Sequence, residues 1–279
     1  MTEKTLLLKH NGKEIEFLLH KTDKSKGAGH VDIFSGKTYP IIPKLKPKLI
    51  LDVGANIGAT SVFFAMNYPS ARIYSFEPTV MNFSLLKKNT SHFQNVTVYN
   101  WGAYEYSKKE RIYLDSDSGG RNSFDKRWTK SEKYEEVELI NLADFLSENK
   151  IKIIDILKID TEGCEVPILK SLRTFLENIK VVYLEYHSVN NKLEISEMFS
   201  QSHNLFRDRI VGLEKVAVDD QLINHYCAED IYFNNQKIIK KTDKVTKEHI
   251  TKLVKMKRKF ILTLGIGLGE FIFVHKEFY

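Results

Sequence analysis

The sequence predicts a doubly wound α/β fold with a mostly parallel sheet, an N-terminal β-hairpin and a basic C-terminal extension. Three observations carry this. The apolar run Leu49-Ile50-Leu51 ends in Asp52, turns through Gly54 and Gly58, and gives way to the apolar, helix-compatible residues 60–66. A buried parallel strand, a glycine turn and a helix read this way. Arg72–Phe76 reads as a second strand, ending at Glu77-Pro78, 25 residues past Asp52. Residues 151–159 form another apolar strand, followed by Val166, Leu169, Leu172 and Leu176 at helical spacing and by strand-like 181–186. Strands alternating with helices build a parallel sheet.

Composition sets the bounds. With 279 residues, 42% of them hydrophobic, the chain can bury a sizeable core. Two cysteines, Cys164 and Cys227, suggest neither a disulfide framework nor a zinc cluster, and the opening residues lack a signal-peptide layout. A cytoplasmic location is therefore expected. The net charge of +6 is uneven: residues 236–279 hold eleven Lys/Arg against four Asp/Glu, leaving 31 against 32 for the rest. The body is thus no basic nucleic-acid binder, and no nucleic-acid partner is expected.

Taken in order, residues 1–47 read as a hairpin and cover segment. Leu6 and Leu8 alternate, Asn11-Gly12 suits a two-residue turn, and Ile15, Phe17 and Leu19 alternate on the return. Residues 21–47, rich in Lys, Gly and Pro, read as an irregular approach to the first main strand. There Gly54 permits a tight turn, Gly58 a close approach, and the N–H groups that open the next helix are left for a ligand. The spacing D-x-G-x-x-x-G is neither a G-x-G-x-x-G fingerprint nor a P-loop. Glu77, at the second strand end, is placed to accept hydrogen bonds from ribose hydroxyls.

Phe83, Leu85 and Leu86 mark a helix, and Val96–Tyr99 a third strand ending at Asn100-Trp101-Gly102-Ala103, where a nucleoside base could be contacted. Trp101 itself reads as packing. Short strands at 111–114 and 135–139 bracket the polar segment 115–134. It reads as an acceptor-side loop, with Arg121, Asn122 and Ser123 as candidate substrate contacts. A short helix follows at 142–146. The strand over 151–159 ends in Lys158-Ile159-Asp160-Thr161-Glu162-Gly163, that over 181–186 ends in Glu185-Tyr186-His187, and 229–233 reads as the strand closing the sheet. Residues 190–218 are mixed in pattern.

The stretch Asp52-Val53-Gly54-Ala55-Asn56-Ile57-Gly58 resembles the first motif of S-adenosylmethionine-dependent methyltransferases, and its wording is similar to the FkbM family of O-methyltransferases. A second stretch, an apolar strand running into K-I-D-x-E-G-x-E, is matched at Asp160, Glu162, Gly163 and Glu165. The resemblance covers roughly residues 48–190, in the correct order. It implies a seven-stranded, Rossmann-like methyltransferase sheet over 48–235 with S-adenosylmethionine as cofactor. Asp52, Gly54, Ala55, Asn56, Gly58, Glu77 and Asp160 would bind that cofactor. The implied reaction is O-methylation of a hydroxyl on a sugar, glycolipid or polyketide-type small molecule or glycan. A reading from another class is a catalytically silent nucleoside-binding or scaffold module that kept the fold.

Methyl transfer to a hydroxyl requires alignment and removal of the acceptor proton. Asp160 and Glu162, two residues apart after the fourth main strand, point to one side of an extended backbone, as do Glu185 and His187 after the fifth. Asp160, Glu162 and His187 are the candidate catalytic residues, with His187 or Asp160 taking the proton. No metal-ligand spacing of the H-E-x-x-H kind is present and no metal site is assigned, with a carboxylate-bound Mg²⁺ as the open alternative. The absence of an Asp/Asn-Pro-Pro-aromatic loop after the fourth strand disfavours nucleobase N-methylation.

The extension, 236–279, contains an amphipathic segment at 245–264, with Ile250, Leu253, Val254, Phe260, Ile261 and Leu264 near one helical face among many lysines. One reading is peripheral contact with an anionic membrane. The other packs this face on the body or on a second subunit, as in a homodimer, with 271–275 adding a strand.

Overall fold

The computed structural model describes residues 4–10, 12–21, 28–42, 44–115, 122–126, 129, 131–210, 213–216, 230–233, 236–240 and 269–276. In chain order the first half comprises β1 (Lys4–His10), β2 (Lys13–Leu19), α1 (Ala28–Phe34), β3 (Leu49–Val53), α2 (Ala59–Asn67), β4 (Arg72–Phe76), α3 (Val80–Thr90), β5 (Val96–Tyr99), β6 (Gly102–Tyr104) and β7 (Lys108–Tyr113). The second half adds β8 (Tyr134–Asn141), α4 (Leu142–Glu148), β9 (Ile154–Ile159), α5 (Glu165–Ser171), β10 (Ile179–Tyr186), α6 (Val189–Phe199), β11 (His203–Ile210), β12 (Leu213–Val216), β13 (Asp230–Phe233), β14 (Gln236–Lys240) and β15 (Gly269–His275).

Eight strands form the main sheet, in the order β12-β11-β15-β10-β9-β3-β4-β5. Five of them, β5, β4, β3, β9 and β10, run parallel, while β15 is antiparallel to both β10 and β11. The seven expected strands are therefore present, and β12 is added at the edge by pairing with β11. Successive residues of each strand face opposite sides. Ile50, Ile156, Val181 and Ile272 join one core with Phe63 of α2 and Phe34 of α1. Their neighbours Leu51, Leu157, Val182 and Phe273 join the other, with Leu146 of α4 and Leu169 of α5. Because both faces are covered, these strands read as mostly apolar runs. Each such side chain, once buried, stabilises by about 1.5–3 kcal/mol.

Asp155, at the start of β9, aligns the entry to β3: its Oδ2 accepts the N–H groups of Lys48 and Leu49 at 2.7 and 3.0 Å. From β3 the chain moves outward through β4 and β5, then crosses back to β9. The strand order reverses there, and a crevice opens at the carboxyl ends of β3 and β9.

Several elements differ from expectation. Residues 21–47 include α1, whose Val31 and Phe34 are buried; seven residues are too few to display a helical period. Phe34 meets Phe17 of β2 edge-on at 5.1 Å between ring centroids. Asp230–Phe233 does not close the main sheet but pairs with β1, in a four-stranded sheet ordered β14-β13-β1-β2. The closing position belongs to β15, with Ile272, Phe273 and Val274 buried. The segment 236–279 thus supplies β14 to the hairpin sheet and β15 to the main one, since alternation reveals a strand but not the edge it joins. Residues 245–264 lie outside the described residues. The helix over 166–176 stops at Ser171, although Leu172 and Leu176 remain buried beyond it. Among the described residues no helix is long and apolar enough to cross a membrane.

Candidate functional site

The crevice is floored by the turn after β3. Gly54 (φ 74°), Asn56 (φ 50°) and Gly58 (φ 93°) all take left-handed backbone. A Cβ on Gly54 would stand 1.9 Å from the backbone oxygen of Asp160, so only glycine lets the ends of β3 and β9 meet this closely. At Gly58 it would meet Leu86 of α3 at 2.9 Å. Gly54, Ala55 and Asn56 line the crevice, whereas Gly58 packs against α3.

Asp52 lies beneath the turn. It is fully buried, accepts the Ser61 hydroxyl at 2.6 Å and pairs with the Lys158 ammonium at 3.1 Å. Lys158 also donates to the Gly54 carbonyl at 2.6 Å. Burial alone would favour the neutral amine, but Asp52, with Asp160 and Glu185, outweighs it and holds the pKa above the usual lysine value. Asp52 and Lys158 therefore brace the turn from below.

Glu77, at the end of β4, is buried and faces the crevice. Its Oε2 accepts the Asn56 N–H at 3.0 Å, and its Oε1 accepts the N–H and hydroxyl of Thr79 at 3.0 and 2.5 Å. Burial raises its pKa against these hydrogen bonds, which lower it. Beyond it, Gly102 and Ala103 line the far end of the crevice. Trp101 stacks on Tyr99 at 5.0 Å in an aromatic cluster with Phe145, as expected of a packing residue.

The opposite end is carboxylate-rich. Glu162 (φ 53°) and Gly163 (φ 111°) turn the chain sharply after β9. Glu165, the fully buried first residue of α5, accepts the Gly163 N–H at 3.0 Å and the Thr161 hydroxyl at 3.2 Å. A carboxylate at a helix N-terminus is also favoured by the helix dipole. His187 lies between two acids, its Nδ1 3.1 Å from Glu165 and its Nε2 3.3 Å from Glu162. Burial by itself lowers its pKa, yet the bonds to Glu162 and Glu165 prevail and push it up to about 11. The imidazole is then a cation at neutral pH, already carrying the proton that a general base would have to receive. The base role expected of His187 does not fit this setting. Glu162 is itself raised, chiefly by burial.

Asp160 and Glu185 complete this end. Both line the crevice, and the Tyr39 hydroxyl donates to Asp160 at 3.4 Å. Burial and the neighbouring Asp160 push the Glu185 carboxyl up to about 10. One donor atom each from Asp160, Glu185 and His187 lies within 4.8 Å of the other two. Since both nitrogens of a protonated His187 face carboxylates, the imidazole offers an ion no lone pair.

The cover segment supplies a wall: His30 and Ile33 of α1 line the crevice, and His20 meets Asn82 of α3 at 2.7 Å. Of the expected substrate contacts, Arg121 lies outside the described residues. Asn122 lines the Glu77 end, its amide 3.5 Å from the Thr79 hydroxyl. Ser123 is buried and donates to the Glu162 carbonyl at 3.1 Å, pinning the loop to the turn after β9. Glu185 lies where its strand end places it, with Asp160 and Glu162, whereas the pattern does not single out Lys158, Tyr39 or His30 for the site; a lysine near the end of an apolar strand is the available signal for the first.

Residues 52–210 match the family model described as the Methyltransferase FkbM domain. Over 163 residues the chain is 26% identical to Methyltransferase 1 of Beauveria bassiana, covering 51% of this chain and 66% of that protein. It is 20% identical over 152 residues to the 2-O-methyltransferase NoeI of Sinorhizobium fredii, covering 50% of this chain and 63% of the relative. It is 25% identical over 181 residues to the 31-O-demethyl-FK506 methyltransferase FkbM of Streptomyces tacrolimicus, covering 54% and 70%. The matched region thus spans about two thirds of these relatives' length, just under it for the first two.

Proposed function

The chain belongs to the FkbM methyltransferase domain family, and from that membership we propose that it transfers the methyl group of S-adenosylmethionine to a hydroxyl of a sugar, glycolipid or polyketide-type acceptor. The observation that carries this is one crevice with Glu77 at one end and Asp160, Glu162 and Glu185 at the other. The donor set fits the cofactor. A ribose diol can donate to Glu77 Oε2 beside the Asn56 N–H, the Gly54–Asn56 turn allows close backbone approach, and the carboxylates suit an ammonium and a sulfonium. When bound, the cofactor supplies an electrophilic methyl group on positively charged sulfur. The protein's share is to orient the acceptor oxygen, exclude water and receive a proton. Two relatives named for O-methylation support oxygen as the target.

Incubation with S-adenosylmethionine and a panel of methyl glycosides and hydroxylated macrolides tests this. Acceptor-dependent release of S-adenosylhomocysteine is expected. Cofactor binding with no release on any hydroxyl acceptor would instead favour a silent binding module.

A further inference from the structure

We propose that Glu185 is a catalytic residue: its carboxyl group, hydrogen-bonded to Asp160 at the neighbouring strand end, loses its proton when a cationic methyl donor enters, and the carboxylate so formed takes the proton of the acceptor hydroxyl. This rests on the methyl-donor reading above.

β9 and β10 pair in parallel with Leu184 opposite Ile159, so the next residues, Glu185 and Asp160, emerge side by side at the carboxyl edge. Both line the crevice, within 4.8 Å of each other. The other ionisable groups here have partners: Lys158 is engaged by Asp52 and the Gly54 carbonyl, and His187 by Glu162 and Glu165. The acid set beside the Glu185 carboxyl is Asp160, and the two can share a hydrogen bond once one of them holds a proton. Two carboxyl groups this close in a half-buried crevice do not readily both ionise. A proton held between them is the stable state until a positive charge arrives.

The groups facing Glu185 are Asp160, Glu162 and Lys158 from the β9 side and His187 from its own strand end; Glu270 is its register partner on β15. A sulfonium added to this set favours the doubly ionised pair. The resulting carboxylate is a stronger base than a solvated one, because burial and Asp160 still favour its protonated form. In the transfer, the acceptor oxygen bonds to the methyl carbon and the O–H proton passes to Glu185. The carbon–sulfur electron pair stays on sulfur, cancelling its positive charge.

Two measurements test the pair. In the ligand-free protein at pH 8, the infrared carbonyl band of a protonated carboxyl group is expected in the wild type and absent from Glu185→Gln. Calorimetric titration with S-adenosylmethionine, in two buffers of different ionisation enthalpy, is expected to show proton release from the wild type that Glu185→Gln lacks. Neutral S-adenosylhomocysteine is expected to release less. Absence of the band in the wild type, or equal proton release from both proteins, overturns the proposal. So does proton release that requires added Mg²⁺ and vanishes with a chelator, since the pair would then be a cation site. A band present without cofactor binding overturns the methyl-donor reading, and the catalytic assignment with it.

Discussion

Lys158→Met is expected to destabilise the protein by about 3–5 kcal/mol, because it leaves the Asp52 carboxylate buried without its cation. For a chain of this size that lowers Tm by roughly 10 °C. The cost arises under the crevice: Lys158 holds Asp52 at 3.1 Å and the Gly54 carbonyl at 2.6 Å, so the glycine turn loses its brace as well. The companion Asp52→Asn/Lys158→Met removes both charges and is expected to recover much of the loss, as coupled neighbours do. Thermal unfolding of the three proteins checks this. A Lys158→Met Tm equal to wild type would show that the pair contributes nothing, and an additive double variant would show that the two act independently.

His187→Gln is expected to cost a similar amount, about 3–5 kcal/mol near pH 7, since the buried Glu165 and the partly buried Glu162 lose the cation between them. It also changes the pH dependence. The folded-state pKa of His187, about 11, lies above the ordinary histidine value of 6.5. A group raised in this way binds its proton more tightly in the folded protein, so its contribution is fully present below about pH 6.5 and is lost as pH rises towards 11. Urea denaturation from pH 6 to pH 10 should show wild-type stability falling across this window and a flatter profile for His187→Gln. Parallel profiles, offset or not, would mean that the imidazole is not held as a cation.

What could be read from the chain depended on how local its cause was. β3 and β9 were legible because strands covered on both faces are mostly apolar, as in Leu49–Val53 and Ile154–Ile159. Glu77 was legible by its distance from the glycine turn. Asp160, Glu162 and His187 were found through strand ends and a family resemblance, and the structure brings all three to one end of the crevice. The protonation state of His187 was not legible, because it is set by Glu162 and Glu165, which the sequence offers only as matches to the K-I-D-x-E-G-x-E stretch. Lys158 was missed because its partner Asp52 is 106 positions away, and nothing local marks a lysine as buried. β15 was ambiguous for the same reason: its neighbours β10 and β11 are set by tertiary pairing, which the local sequence does not specify.

The central claim is that the crevice between the Gly54 turn and Glu77 holds S-adenosylmethionine. Calorimetric titration of this cofactor into the wild type and Glu77→Ala tests it most directly. Saturable one-site binding to the wild type is expected, weakened about 5- to 150-fold in the variant, the equivalent of roughly 1–3 kcal/mol for unpaired ribose hydroxyls. A folded wild type that does not bind, or equal affinities for the two proteins, would contradict it.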